Sequence, residues 1–236
     1  MKESKISWCN YSWNPWQGCH KVSEGCRACY MFRDKERYGQ DPNVVVRSSK
    51  PTFDKPLKID KPSLIFTCSW SDFFVEEADG WRDEAWGIIR KTPQHTYQIL
   101  TKRPERIIGH LPVPVLSNVW LGVSIENNKH SDRAEVFNKI GGYTTFISFE
   151  PLLEKIEWQE NYGNVDWIII GAESGNENGK YKYRDCQNEW IIDLINEAKS
   201  RGIKVFVKQT RMNGKLLTNI ENFPKELQIR EYPNEH

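Results

Sequence analysis

No apolar run in this sequence approaches the length needed to cross a bilayer, and Met1-Lys2-Glu3 opens no secretory leader. A cytoplasmic chain with no membrane partner is the expectation. Strong charge of either sign is missing too: 33 basic and 32 acidic side chains leave a net +1. Bulk electrostatics therefore draws no nucleic acid to the chain, and any such partner must be met by a local patch. There is no low-complexity tract, no clear repeat and no Pro/Gly linker dividing two domains. No G-x-G-x-x-G opens a helix, so the dinucleotide-binding fold lacks its fingerprint. Of six cysteines only one C-x2-C pair can be formed, whereas a structural zinc site usually takes two such pairs or a Cys/His mix. In a cytoplasmic chain these cysteines read as free thiols or ligands, not as disulfides.

What is present begins with composition. Charged residues make up 28% and the hydrophobic set 38%, a globular balance, and 236 residues suffice for one self-standing core. The ten tryptophans are expected mostly in the core or on a rim, where an exposed one can stack on a planar ligand. Three cysteines, Cys19, Cys26 and Cys29, crowd one loop as C-x6-C-x2-C, the ligand set of a soft metal centre. An iron–sulfur cube usually takes four thiolates, so a loop offering three leaves one iron open to chemistry. Closure of a zinc site by His20 or Cys9 is the competing possibility.

Those residues carry a resemblance. CRACYM, preceded by Cys19, resembles the cluster loop of the radical S-adenosylmethionine superfamily. The wider phrase WNPWQGC-x6-C-x2-CY is similar to a phage and bacterial branch known as the three-Cys-motif proteins, and the likeness runs on through TCSWSDFF, LTKRPER, LGVSIEN, SFEPLL, IIIGAESG and VFVKQ. It implies a [4Fe–4S] cluster on Cys19, Cys26 and Cys29, with S-adenosyl-L-methionine chelating the fourth iron. An external electron donor would reduce the cluster, and the cofactor would be cleaved to a 5′-deoxyadenosyl radical. Two features depart from the superfamily pattern: six residues, not three, separate the first two cysteines, and no plain Gly-Gly-Glu follows the second strand.

Along the chain, extended and helical segments alternate. Residues 6–16 read as a first extended segment ending at Asn14-Pro15, since the residue before a proline avoids the helical region. Residues 26–38 read as helix. Residues 40–62, with four prolines, read as an irregular connection. Strands are expected at 64–68, 95–100, 119–123, 144–148, 166–170 and 203–207. Trp81, Ala85, Ile88 and Ile89 mark one helix face, and Ile191, Leu194, Ile195 and Ala198 another, the latter closed by Gly202. Asp132 and Glu135 suggest a capping box for a helix reaching Lys139. Strand–helix alternation calls for parallel pairing, and six or seven units make an α/β, TIM-like partial (β/α)6–7 barrel in one domain. An open doubly wound sheet is the rival. Residues 1–215 would form the barrel and 216–236 an appendage.

If the strands are so placed, polar groups fall just past nearly every carboxyl end, where such barrels carry their sites. They are the three cysteines, then Ser69, Ser71 and Asp72, then Thr101, Lys102 and Arg103. Ser124 and Glu126, Ser148 and Glu150, Gly171, Glu173 and Ser174, and Lys208 with Gln209 complete the rim. The Ser-x-Glu pairs point two groups the same way in extended backbone, and carboxylates accept from ribose hydroxyls or an ammonium. These residues are the candidates to bind S-adenosylmethionine, together with the glycine-flanked turn at Gly171–Gly175. For each carboxylate the competing role is an ion pair with Lys102, Arg103 or Lys208. Those three cations are otherwise candidates to hold an anionic substrate, and Cys68 is a candidate hydrogen-atom donor. Residues 199–215 hold six basic residues and no acidic one, either a solvated face or a phosphate-contacting edge. The leading function is a radical enzyme acting on an unidentified substrate such as a nucleotide or a modified base of phage DNA. A zinc-braced nucleic-acid- or partner-binding module is the second, and a hard-cation hydrolase using Asp72, Glu126, Glu150 and Glu173 the third.

Overall fold

A computed structural model describes residues 3–233. Its strands are β1 (Tyr11–Trp13), β2 (Trp16–Gln17), β3 (Val46–Arg47), β4 (Leu64–Thr67) and β5 (Thr96–Thr101), then β6 (Val119–Ser124), β7 (Thr144–Phe149), β8 (Trp167–Gly171), β9 (Lys204–Met212) and β10 (Lys215–Leu217). The α-helices are α1 (Tyr30–Arg37), α2 (Lys50–Phe53), α3 (Asp79–Lys91) and α4 (Asn188–Ser200). The main sheet runs β1-β4-β5-β6-β7-β8-β9-β10, parallel throughout except for the antiparallel β9–β10 hairpin, and curls into a half-barrel. Each strand of the parallel set lies beside the next one in the chain. A doubly wound sheet would reverse its order at a switch point, so the order itself selects the barrel over its rival.

Two cores hold the sheet. Strands buried on both faces read as continuous apolar runs, and β6 and β8 are buried at every residue. One face packs against α3, α4 and the connections through Ile99, Leu121, Ile147, Ile168, Val205 and their neighbours. The concave face closes its floor with Trp8, Phe66, Trp120, Phe146, Trp167, Ile169 and Phe206. Gly122 makes room there: a Cβ on it would stand 2.4 Å from the Phe146 ring. Above this floor a cavity opens at the carboxyl ends of the strands.

Several elements depart from expectation. Helix α1 begins at Tyr30, not at Cys26, because Cys29 is extended (φ −57°, ψ 126°) and a separate 3-10 turn covers Glu24–Cys26. The capping box does not form. Residues Asn128–Lys139 make 3-10 turns broken at His130. Glu154 takes the Asn128 amide, while Arg133 is drawn inward to Ser124 and Glu126. Strand β9 runs to Met212, so Lys208 and Gln209 lie within it and not past its end. The stretch from Leu216, set apart in the sequence as an appendage, contributes to β10, buries Phe223 and Leu227 in the outer core, and pairs Glu231 N with Val205 O. Residues 234–236 of that stretch, and Met1 and Lys2, lie outside the described residues. No helix among the described residues is long and apolar enough to cross a membrane.

Candidate active site

The cysteine loop is fixed at both ends. Gly18 enters it at φ +99°, and a Cβ there would fall 2.2 Å from Val44 O, so only glycine lets the chain pass under the 40–48 connection. Gly18 N donates to Trp70 O and Cys19 N to Pro42 O, both at 3.0 Å. At the far end the 3-10 turn closes with Cys29 N on Cys26 O, and Cys29 then caps α1. Beneath the turn lies Glu126, fully buried and pinned by Ser23 Oγ at 2.8 Å, Lys102 Nζ at 2.5 Å and Arg133 Nη1 at 2.9 Å. Burial works to raise the Glu126 carboxyl, but Lys102 and Arg133 outweigh it and hold it below the usual range.

Cys19, Cys26 and Cys29 are all free thiols and line one cavity of about 190 Å³. A water needs ~10–15 Å³ of such space, so the cleft admits a small organic molecule. Burial pushes the Cys19 thiol up to about 12, with Asp72 adding to the shift, and burial also raises Cys29. The same cavity receives Cys68, Ser69, Ser71 and Asp72 from the end of β4, Lys102 and Arg103 from β5, and Ser124 from β6. Ser148 and Glu150 arrive from β7, Glu173 and Ser174 from β8, and Lys208 from β9. Glu126 and Gly171 stand just behind this wall, Glu126 under the loop and Gly171 against Glu150.

The carboxylates are all engaged by cations of the chain. Asp72 pairs with Arg103 at 3.1 Å and accepts from Thr101 Oγ1, Lys102 N and Phe74 N. Glu150 pairs with Lys208, and Glu173 takes Arg184 through its guanidinium and its amide. Among the described residues no three His, Cys, Asp or Glu side chains gather round one point that a single ion could fill. His20, named to close a zinc site, pairs with Glu77, and Cys9 sits in the inner core facing Ile6 O. The four acidic residues of the hard-cation alternative are likewise apart. The basic stretch 199–215 does not build one edge either. Lys204 opens β9 at the floor end and Arg201 pairs with Glu197, while Arg211 is buried over Tyr183.

Some residues of the site were not legible in the sequence. Asn14, read only as a residue before proline, accepts from Trp70 N at 2.8 Å and holds Ser69 Oγ, shaping the turn after β4. That turn places Cys68 at φ +67°, a left-handed conformation that β-carbon-bearing residues rarely adopt. Tyr30 Oη donates to Ser69 O at 2.6 Å, tying α1 to the same turn. Burial raises the Cys68 thiol well above its ordinary range. Ser23, Arg133 and Arg184 reach partners 103, 7 and 11 residues away in the sequence, and no local pattern announces them.

The sequence model of a family described as "Protein of unknown function (DUF5131)" matches residues 3–231. No curated protein matches the chain. Solved structures of spore photoproduct lyase share its fold. A variant with two substitutions, carrying bound AdoMet and dinucleoside spore photoproduct, is 13% identical over 89% of this chain and 78% of that one, with a TM-score of 0.60. A tyrosine-to-phenylalanine variant gives 0.61 at 13% identity with the same coverage. The complex with dinucleoside spore photoproduct gives 0.54 at 14%, over 87% and 77%. At such identity the likeness is one of fold.

Proposed function

The chain belongs to the DUF5131 family, and we propose that it is a radical S-adenosylmethionine enzyme. The observation that carries this is the placing of three free thiols of one C-x6-C-x2-C loop in the same cavity as hydroxyls from five successive strand ends, β4 to β8. The donor set fits an iron–sulfur cluster. Its sulfurs do not converge on one ion, whereas a cluster offers each thiolate its own iron. Cys19, Cys26 and Cys29 would hold the cluster. Ser69, Ser71, Ser124, Ser148 and Glu150 would hold S-adenosylmethionine, with Ser174 beside the adenosyl part and Gly171 behind Glu150 letting that side chain pack close. When bound, the pair supplies one-electron cleavage of the sulfonium to a hydrogen-abstracting 5′-deoxyadenosyl radical, given an external electron donor.

The chain's own residues do the rest. Asp72, Glu126 and Glu173, each spent on partners within the chain, position the loop and the strand ends rather than touch the ligand. The apolar floor of Trp8 and Phe66 excludes water from the inner end of the cavity. Burial keeps the Cys68 thiol protonated, the form that has a hydrogen atom to give, and its left-handed backbone is the kind of strain found at functional sites. The substrate we favour is a nucleotide or a nucleic-acid base. The likeness to a fold seen with a dinucleoside supports it, as do the exposed Lys21, Arg27 and Lys182 on the loops flanking the thiols. Membership of the phage and bacterial three-Cys-motif branch, and a cytoplasmic setting that keeps thiols reduced, belong to the same reading.

The test is anaerobic reconstitution with iron and sulfide, followed by dithionite and S-adenosylmethionine and an assay for 5′-deoxyadenosine. Cleavage in the wild type and its loss in Cys26→Ala support the reading. Tight zinc with no iron uptake refutes it.

A further inference from the structure

Arg103 was a candidate for holding an anionic substrate, but its side chain is already spent. It is 7% exposed. Nη2 donates to His20 O at 3.0 Å, and Nη1 faces both Cys19 Sγ at 3.7 Å and Asp72 Oδ2 at 3.1 Å. Its backbone amide donates to Thr101 Oγ1, and that hydroxyl donates to Asp72. The ends of β4 and β5 are thereby tied to the entrance of the cysteine loop by one guanidinium. Cys26, by contrast, faces the neutral Ser23 hydroxyl at 3.7 Å. Only a planar fork reaches a carbonyl and a sulfur side by side, so lysine cannot reproduce both contacts.

We infer that Arg103 is a positioning residue that orients Cys19 as a ligand and sets the reduction potential of the centre it holds. The inference rests on the cluster reading above. A cation donating to a ligand sulfur favours whichever redox state carries more negative charge, and reduction adds an electron. Arg103 therefore raises the potential, and Asp72 behind it partly offsets the effect. Opposite signs follow for the two partners, a pattern that a purely structural tie would not give.

The experiment is a potentiometric titration of the reconstituted protein, followed by the electron paramagnetic resonance of the reduced centre, in wild type, Arg103→Met, Arg103→Lys and Asp72→Asn. The midpoint should move to more negative values in Arg103→Met and by less in Arg103→Lys, and to more positive values in Asp72→Asn. If Arg103→Met takes up no centre, the opposite movement of Arg103→Lys and Asp72→Asn carries the test. Midpoints that coincide with wild type, or that all shift in one direction, overturn the inference. A wild type that loads no iron–sulfur centre overturns the cluster reading instead, and the two failures are thus distinct.

Discussion

Replacing Gly25 by alanine adds one methyl group next to Cys26 and leaves all three thiols in place. The new Cβ would lie 2.4 Å from Glu126 Cγ, 2.5 Å from Oε1 and 2.6 Å from Cδ. Ordinary carbon contacts are ~3.5–4.0 Å, so something must yield by about 1 Å. Glu126 cannot swing away cheaply. It would leave Lys102 and Arg133 unpaired beside it, and breaking a buried pair costs about 3–5 kcal/mol. Lifting the loop is the cheaper response, at the ~1–3 kcal/mol of an overpacked site. The apoprotein absorbs this by letting the loop relax, whereas cluster loading must force it back. At 1.4 kcal/mol per factor of ten, the loop should hold its centre about 5–150-fold less well. Iron and sulfide content after reconstitution, read against a chelator series, measures this. The shorter side chain in Gly25→Ala/Glu126→Asp should recover part of the loss. The control is Gly87→Ala in α3, where the added Cβ meets nothing within 4 Å beyond its chain neighbours and its own helix backbone. It should load normally and gain about 0.5–1 kcal/mol of stability. Wild-type retention of iron by Gly25→Ala would refute the claim that Glu126 is the seat of the loop.

Other outcomes follow from single contacts. Cys68→Ala should keep the full iron content but change the fate of the substrate or of the cleaved cofactor; loss of the cluster would make Cys68 a ligand instead. Gly122→Ala should cost about 1–3 kcal/mol in denaturant unfolding, because its Cβ meets the Phe146 ring at 2.4 Å, and Phe146→Leu should restore part of it. Asp79 binds Arg82 and Arg106, and although burial opposes them they hold its carboxyl down at about 2, against an ordinary 3.8. A depressed carboxylate contributes stability that is full above its unfolded value and fades as pH falls through its folded one. Between about pH 4 and 2 the wild type should lose this contribution while Asp79→Asn, already without it, shows a flatter profile. The side chain is 44% exposed, so solvent screening limits the effect to about 1 kcal/mol or less.

The strands and the two regular crossover helices were legible because each is an apolar run or stripe bounded by a proline, a glycine or a polar cluster. Ile191, Leu194, Ile195 and Ala198 do line the buried face of α4, and Gly202 comes after it at φ +73°. The polar rim was legible for the same reason: once strand ends are placed, the residues just past them share one edge. The hidden features depend on long-range pairing. The extension of β9 past Lys208 needs β10 to pair with it. The failed capping box reflects Glu154 and Glu126 drawing Asn128 and Arg133 to themselves, contacts 26 and 7 residues away in sequence. The commitment of every rim carboxylate to a cation is likewise a property of the folded wall. Spacing along the chain places these groups on one rim without saying which of them remain free for a ligand.

The proposed centre is an iron–sulfur cluster on three cysteines with one iron left for a small sulfonium ligand. Electron paramagnetic resonance of the reconstituted, dithionite-reduced protein, recorded with and without S-adenosylmethionine, addresses it directly. The wild type should give a reduced [4Fe–4S] signal whose shape changes when S-adenosylmethionine is added and which is absent in Cys29→Ala. A spectrum indifferent to S-adenosylmethionine, or a protein that retains one zinc per chain and takes up no iron, would contradict it.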